Sequence, residues 1–386
     1  MLSCQKHLFS IDPGVSYLNC AYMSPQLNAV EQLGIEMMKR KSRPWTIQVE
    51  DFFEPCRLLK DQFAKLVHID DPGRVALIPS ASYGLANVAR NIRLKPGQKI
   101  VVAGDQFPSN YYPWQRIARE AGARIEIVPP PQSGSLTDAW NAELLKAVDE
   151  EVALVAMANV HWANGIRFDL EAIREKTAQC GALLIIDGTQ SVGALPFDVD
   201  KIRPDALIVA GYKWLLGPYS LGLGYYGPAF DQGIPIEENW INRKNSEDFR
   251  RLVDYQDEYQ PKAGRYSIGE QSNFVLLPML TAAIGQLLEW GVDQIQGYCT
   301  GISAPFADDC RSMGIEVEPE GLRCGHLFGL RFDPEKLNPD TLKAELAGQQ
   351  IHVSFRGDSI RVAPHVYNTP EDLSRLGDIL KSSLKK

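Results

Sequence analysis

Two ionisable residues, Lys213 and Asp187, follow apolar runs of the kind that form buried strands. Lys213 comes shortly after the run 206–209, and Asp187 directly follows the run 182–186. A lysine amine can form a Schiff base with an aldehyde, and a carboxylate can keep a pyridine nitrogen protonated. Pyridoxal 5'-phosphate (PLP) requires both groups, so the pair predicts a PLP-dependent enzyme.

Burial is expected to change how both groups ionise. Val209, Trp214 and Leu215 surround Lys213 in the sequence, which favours a lowered pKa and a neutral, nucleophilic amine. Asp187 would lose hydration unless it met a cation such as a protonated pyridine. Each residue has a structural alternative, since a lysine stem can extend to solvent and an aspartate can cap a turn before a glycine.

Two further strand ends carry candidate cofactor contacts. The segment 80–84, Ser-Ala-Ser-Tyr-Gly, follows the apolar run 75–78 and precedes a helix predicted to begin near Leu85. Its small residues can hold a phosphate at the positive end of the helix, although an ordinary serine N-cap has the same pattern. Phe107 follows the run 100–103 and can either stack on a planar cofactor or pack in the core.

Composition limits the class of protein. The chain has 386 residues, 45% of them hydrophobic, and a formal net charge of −8. Its length predicts two domains, and its acidity argues against a nucleic-acid partner or an anionic membrane surface. No apolar stretch approaches the ~18 residues of a membrane span. Seven dispersed cysteines without a Cys-x-x-Cys pair indicate no metal site and reduced thiols in the cytoplasm.

The order of apolar and polar stretches predicts the architecture. From about residue 55 they alternate, which predicts a mostly parallel mixed α/β sheet flanked by helices, with ligands beyond the carboxyl ends of the strands. We predict a large α/β domain with an N-terminal segment over 1–291 and a smaller C-terminal α+β domain over 292–386. The elements predicted in the small domain are helices at 292–312, 339–347 and from Pro370, and strands at 314–318, 326–332, 351–355 and 359–363.

These residues resemble those of fold-type-I PLP enzymes of the class V aminotransferase family, which includes cysteine desulfurases, selenocysteine lyases, kynureninases and isopenicillin-N-epimerase-like enzymes. The most specific stretch runs from Asn164-Gly165 through Asp187-Gly-Thr-Gln190 and Tyr212-Lys213-Trp214 to Gly217-Pro218. The resemblance implies that Lys213 forms the Schiff base and that Asp187 pairs with the pyridine nitrogen. It also implies a hydrogen bond to the ring 3-oxygen from Gln190, stacking by Phe107 and phosphate contacts by Ala81 and Ser82.

Departures from the family pattern bear on the substrate. Kynureninases carry features similar to Phe-Pro-Ser-Asn at 107–110 and to Tyr212 before the lysine. The tyrosine of kynureninases binds the phosphate, and an aspartate stands where this chain has Asn110. Trp162 stands where many members have an asparagine that touches cofactor or substrate. Asn110 and Trp162 are therefore candidate substrate contacts.

Two arginines near the C-terminus are candidates for the substrate carboxylate. The segments 359–365 and 367–369 resemble the region that holds this arginine in the family, which makes Arg361 the first candidate and Arg356 the second. A planar guanidinium matches a carboxylate with two parallel hydrogen bonds, although surface arginines on a strand are the ordinary alternative. Desulfurases of this layout carry a persulfide-forming cysteine between the two arginines. Here that interval has none, and Cys324 is expected to be structural.

The segment 265–273 resembles a Gly-Thr loop that reaches the phosphate site of a second subunit. Glu270 replaces the usual threonine between Gly269 and Gln271. A carboxylate would repel a phosphate, so Gln271 or a backbone N–H is the expected contact. The resemblance implies a homodimer with shared active sites.

Taken together, the residues predict an enzyme that acts at Cα of an amino-acid substrate, as a transaminase or a side-chain-cleaving lyase. An epimerase of the same family and an inactive PLP-fold binding protein are the alternatives. A nicotinamide dehydrogenase is disfavoured because no Gly-x-Gly-x-x-Gly follows an early strand.

Overall fold

The computed structural model describes residues 2–131, 135–333, 335–357 and 359–384. Its strands are β1 (Ser16–Tyr17), β2 (Val75–Ile78), β3 (Lys99–Ala103), β4 (Arg124–Val128), β5 (Val152–Ala158), β6 (Leu183–Asp187), β7 (Ala206–Ala210), β8 (Gly222–Tyr226), β9 (Phe328–Arg331), β10 (Ile351–His352), β11 (Ser354–Arg356) and β12 (Ser359–Val362). Its α-helices are α1 (Asn28–Lys41), α2 (Glu54–Leu66), α3 (Ala81–Arg90), α4 (Tyr112–Ala121), α5 (Leu136–Ala147), α6 (Leu170–Cys180), α7 (Val199–Ile202), α8 (Leu276–Trp290), α9 (Val292–Ser312), α10 (Pro339–Gly348) and α11 (Pro370–Ser383). Within these ranges no helix is long and apolar enough to cross a membrane.

The main sheet has seven strands in the order β2-β8-β7-β6-β5-β3-β4. β8 runs antiparallel to both of its neighbours, and the other pairings are parallel. The prediction of a mostly parallel mixed sheet is therefore confirmed. Sequence reasoning missed β8 because two of its five residues are glycines, which are rare in strands. Gly222 is needed there, since a Cβ would lie 2.5 Å from the carbonyl oxygen of Val209 on β7.

Both faces of this sheet are buried. One face packs against α3 and α4, through residues such as Val88 and Trp114. The other face packs against α2, α5, α6 and α8 in the largest hydrophobic cluster, which includes Phe63 and Leu280. Strands covered on both faces have no polar side, which explains why they appear in the sequence as continuous apolar runs.

The C-terminal part contains a separate antiparallel sheet in the order β11-β12-β9, with α9 and α11 against its own core. The strand predicted at 314–318 is wrong, because the described backbone there forms only an isolated bridge between Glu316 and Arg331. The strand predicted at 351–355 is divided at Val353 into β10 and β11. The domain boundary after Gly291 stays a prediction.

The N-terminal segment reaches the C-terminal sheets. β1 pairs in parallel with β10, and Asn19 forms a bridge with Ala363. The segment then continues over the carboxyl edge of the main sheet, where the Ser24 N–H donates to the carbonyl of Tyr212 at 3.1 Å. Residues 19–24 therefore run from the C-terminal sheet to the loop that holds Lys213.

Gly193 lies where the loop after β6 meets the loop after β7. Its φ is +102°, and a Cβ at this position would lie 2.3 Å from the carbonyl oxygen of Trp214. Gly193→Ala is expected to destabilise the protein by about 1–3 kcal/mol more than Gly181→Ala, because overpacking adds to the backbone strain that both share. Gly181 is the matched control, with a φ of +70° and no described atom within 4 Å of the added Cβ. Equal unfolding midpoints for the two variants would contradict this contact.

Candidate active site

Lys213 is held by a short loop between β7 and β8. The Gly211 N–H donates to the carbonyl of Leu221 at 2.9 Å, and the Gly217 N–H donates to the carbonyl of Gly211 at 2.9 Å. The Leu216 N–H closes a turn onto the carbonyl of Lys213 at 3.0 Å. These bonds fix the lysine at the carboxyl end of β7.

The Lys213 amine lies in a largely apolar, aromatic environment. Its Nζ is 5.7 Å from the ring centroid of Phe107 and 5.4 Å from that of Tyr212, and the residue is only 7% exposed. Burial lowers the pKa of Lys213 to about 8, while Asp187 opposes the shift and Arg361 adds to it. The amine is therefore partly neutral near neutral pH, as a nucleophile and base requires.

Asp187 is the last residue of β6, and it lines one cavity together with Lys213. Its Oδ1 accepts a hydrogen bond from the Thr189 N–H at 3.0 Å. Burial raises the pKa of the Asp187 carboxyl, and the contacts with Thr189 together with the charge of Lys213 oppose that change. A desolvated carboxylate of this kind is stabilised by any cation that binds against it. The Thr189 hydroxyl also accepts from the Ala210 N–H at 3.2 Å, which joins the ends of β6 and β7.

The side chain of Gln190 is fixed at both ends. Its Nε2 donates to the carbonyl of Ala21 at 3.1 Å, and its Oε1 accepts from Trp214 Nε1 at 2.9 Å. His326 Nε2 lies 2.9 Å from the Gln190 carbonyl, so this nitrogen carries the proton. Burial lowers the pKa of His326 to about 4, which keeps the ring neutral. These contacts fix Gln190 beside the cavity.

The first turn of α3 lines the same cavity as Asp187. The helix begins at Ala81 rather than near Leu85, so the predicted start was wrong by one turn. Ser80 caps it by accepting from the Tyr83 N–H at 3.2 Å, and the hydroxyls of Ser80 and Ser82 are 2.9 Å apart. First-turn N–H groups have no acceptor within their helix, so they can bind an anion. The N-cap and the phosphate site are thus compatible roles for the same segment.

A cavity of about 320 Å³ joins these parts. The predicted residues that line it are Ala81, Ser82, Phe107, Trp162, Asp187, Gln190, Tyr212 and Lys213. Thr189, Tyr219 and Ser220 also line it and were missed, because no local pattern distinguishes them from ordinary loop residues.

A second cavity of about 300 Å³ adjoins the first, and the two share Phe107, Trp162, Tyr212, Lys213 and Tyr219. It adds the segment 21–23, Arg356 and Arg361. Arg361 is 2% exposed and donates from Nη1 to the carbonyl of Trp162 at 2.8 Å and from Nη2 to Ser354 Oγ at 3.4 Å. Burial lowers the pKa of Arg361 to about 10, and the like charge of Arg356 contributes.

The structure does not bring every candidate to the cavities. Asn110 lines neither of them: its side chain is buried, and its Oδ1 accepts from Trp114 Nε1 at 3.0 Å. Gly269, Glu270 and Gln271 also lie away from both cavities, beside β2, where the Ile268 N–H donates to the carbonyl of Leu77 at 3.0 Å. Their contact with a second subunit stays a prediction.

These residues fit PLP by their donor set. A phosphate matches the first turn of α3, a pyridine nitrogen matches the desolvated Asp187 carboxylate, and an aldehyde matches the Lys213 amine. The rings of Phe107 and Trp162 pack nearly perpendicular to each other, with 5.5 Å between their centroids, and Phe107 is 41% exposed.

Comparison with known proteins agrees with this geometry. The family model "Aminotransferase class-V" matches residues 45–236. A probable cysteine desulfurase of Pyrococcus abyssi is 31% identical over 331 residues, which span 81% of this chain and 79% of that protein. The apo cysteine desulfurase structure from Thermococcus onnurineus NA1 has a TM-score of 0.84 at 18% identity and matches 100% of this chain and 99% of that one. A C-DES variant with glycine covalently linked to its PLP cofactor has a TM-score of 0.83 at 16% identity, with 97% and 99% covered.

The fold and this similarity define a PLP-dependent enzyme of fold type I. Within that class, the chain belongs to the class V aminotransferase family. The family, the cofactor and the enzyme class predicted from the sequence are confirmed, while the roles of individual residues stay predictions.

Proposed function

We propose that this enzyme acts at Cα of an α-amino acid, with Lys213 as the cofactor-linked base and Arg361 as the carboxylate-binding group. The observation that carries the proposal is that Lys213 and Asp187 line one cavity, and that burial shifts both toward their neutral forms. Burial of both groups in one cavity is costly without a ligand and is typical of a catalytic site.

Different residues would hold the cofactor and the substrate. Ala81, Ser82 and Tyr212 would hold the phosphate, Phe107 and Gln190 would contact the ring, and Asp187 would face the pyridine nitrogen. When bound, PLP supplies an electron sink that stabilises negative charge at Cα. Arg361 would hold the α-carboxylate through two parallel hydrogen bonds. Lys213 would then take the Cα proton and return it.

The place where the proton returns decides between the candidate reactions. All three reactions would begin with removal of the Cα proton by Lys213. Transamination would deliver that proton away from Cα, side-chain cleavage would release a side-chain substituent, and epimerisation would return a proton to the opposite face of Cα. We keep transaminase or side-chain-cleaving lyase as the proposed activity, with epimerase as the alternative. Sulfur transfer through a cysteine of this chain is disfavoured, since the described residues lining both cavities include no cysteine. Cys324 is 1% exposed, and burial raises its thiol pKa to about 12.

An amino-acid screen tests this function. The purified protein is loaded with PLP and mixed with single L-amino acids, and 2-oxo acid, side-chain fragment and D-isomer are each measured. The proposal expects one of the first two products. Formation of D-isomer alone would support the epimerase alternative, and a protein that binds PLP without converting any amino acid would support an inactive binding protein.

The lowered pKa of Lys213 has a consequence for cofactor attachment. Only the neutral amine attacks an aldehyde, so the rate of PLP attachment to the apo protein is expected to rise about tenfold per pH unit up to pH 8 and then level off. A lysine at its ordinary pKa of 10.5 would keep gaining rate above pH 9. Rapid-mixing absorbance across pH 6–10, with free N-acetyl-lysine as control, distinguishes the two curves.

We further propose a homodimer. Large apolar side chains are exposed on the segments around α1 and α2 and on the segment 249–255, and these segments are joined by an aromatic cluster of Phe52, Trp240 and Phe249. Tyr255 is 90% exposed and Val253 is 74% exposed. Exposed apolar surface of this extent usually marks an interface, and a second copy would also give the loop 269–271 a phosphate site to reach.

A location in the cytoplasm is part of the proposal, and the seven free thiols support it.

Val253→Asp is expected to weaken this dimer by at least about tenfold, because a carboxylate would be buried without a partner. Analytical ultracentrifugation measures the dissociation constant. Ile127→Asp is the matched control, since Ile127 is 49% exposed on β4 and outside this surface. A monomeric wild type, or an equal effect of both substitutions, would contradict the proposed interface.

A further inference from the structure

We propose that the substrate carries a second anionic group on its side chain, which Arg356 binds while Arg361 holds the α-carboxylate. This inference rests on the proposed function and adds the substrate class.

The two arginines occupy one face of the β11–β12 hairpin. Ser354 pairs with Arg361 and Arg356 pairs with Ser359 across the two strands. Residues two apart on a strand share a face, and paired residues share it as well. Both guanidinium groups consequently reach the second cavity, where Arg356 adds to the positive charge around Arg361.

The second cavity has an excess of positive charge. Arg356 and Arg361 line it, and none of its described lining residues is an aspartate or a glutamate. Asp187 lines the first cavity, where the pyridine nitrogen would face it. An α-carboxylate on Arg361 leaves Arg356 as a cation without a described counter-charge. A second acidic group on the substrate would neutralise it.

Arg356 is positioned to bind rather than to support the fold. Its Nη1 donates to the carbonyl of Phe355 at 2.8 Å, and its Cζ lies 5.4 Å from the ring centroid of Trp162. Its Nε is buried and has no described hydrogen-bond partner, and the same is true of the Nε of Arg361. A guanidinium that packs against an aromatic ring and has unpaired N–H donors can bind a planar or tetrahedral oxyanion.

The size of the second cavity limits the side chain. Its volume is about 300 Å³, and Tyr22, Met23 and Tyr219 form its walls together with Trp162. Part of this volume must hold the α-carboxylate beside Arg361. The remaining space suits a side chain of aspartate or glutamate length that ends in a carboxylate or another oxyanion.

Matched ligand pairs test the inference on the PLP-loaded wild type. L-glutamate and L-glutamine, L-aspartate and L-asparagine, and O-phospho-L-serine and L-serine differ in charge at similar length. Dissociation constants come from the change in the visible spectrum of the bound cofactor. We expect the anionic member of at least one pair to bind at least about tenfold more tightly, as for a hydrogen bond to a charged group. The three pairs distinguish a carboxylate from a phosphate as the favoured group.

Arg356→Gln is expected to reduce this preference to below about threefold. Arg331→Gln is the matched control, because Arg331 lies on β9 of the same sheet, pairs with Glu316 and does not line either cavity described above. Equal affinity for charged and neutral partners in the wild type would overturn the inference, and so would a preference that survives Arg356→Gln. The wild-type comparison needs no variant. A PLP-loaded protein that responds to no amino acid would instead contradict the proposed function.

Discussion

Lys213→Ala is expected to lower turnover by at least about 10³-fold, because the variant loses both the covalent link to PLP and the base at Cα. General acid–base catalysis alone typically contributes 10²–10⁴-fold, and the loss of the nucleophile adds to it. The apo variant should fold as well as the wild type, since burial of this amine already opposes its charge. Steady-state kinetics of the PLP-loaded variant measures the first effect, and thermal unfolding of the apo protein measures the second.

Lys60→Ala is the matched control for this variant. Burial also lowers the pKa of Lys60, but its side chain lies on α2 and does not line either cavity. It is expected to retain turnover. If Lys213→Ala kept more than about a tenth of wild-type turnover, Lys213 would not be the base.

Asp187→Asn is expected to lower turnover by about 10²–10³-fold without lowering the stability of the apo protein. Removing one member of a buried charge pair costs about 3–5 kcal/mol, which is the effect expected once a protonated pyridine faces position 187. In the apo protein the same substitution is expected to favour folding. Burial raises the pKa of the Asp187 carboxyl, so its charge costs stability as the pH rises through that pKa, and a neutral amide removes the cost.

Asp205→Asn is the comparison for this variant. Asp205 accepts hydrogen bonds from Arg174 at 2.9 Å and from the Leu184 N–H at 2.8 Å, near the opposite end of β6. Its loss should lower stability and leave the turnover of the folded enzyme unchanged. If Asp187→Asn lowered stability and left turnover unchanged, the role assigned to Asp187 would be contradicted.

The strand ends were predictable from the sequence because the chemistry there is local. An apolar run followed within a few residues by a charged or aromatic side chain is a short local pattern, and it located Asp187, Lys213 and Phe107. The start of α3 was misplaced because Ala81 and Ser82 have no apolar periodicity, although Ser80 is a good cap.

The walls of the second cavity were not predictable because they depend on contacts across the whole chain. Gln190 bonds to Ala21, 169 residues away, and that contact brings Tyr22 and Met23 beside Lys213. For Asn110 the local motif and the fold differ, and its predicted substrate contact stays a prediction. The motif placed it next to Phe107, but in the fold its side chain turns inward to Trp114. Neither the contact of Gln190 with Ala21 nor that of Asn110 with Trp114 leaves a periodic signal in the sequence.

Reduction of the PLP-loaded protein with borohydride, followed by peptide mass analysis, tests the central claim most directly. The account predicts that the cofactor mass is found on Lys213 and on no other lysine, and that Asp187→Asn leaves the same lysine labelled. Labelling of a different lysine, or no labelling of a protein that retains PLP, would contradict it.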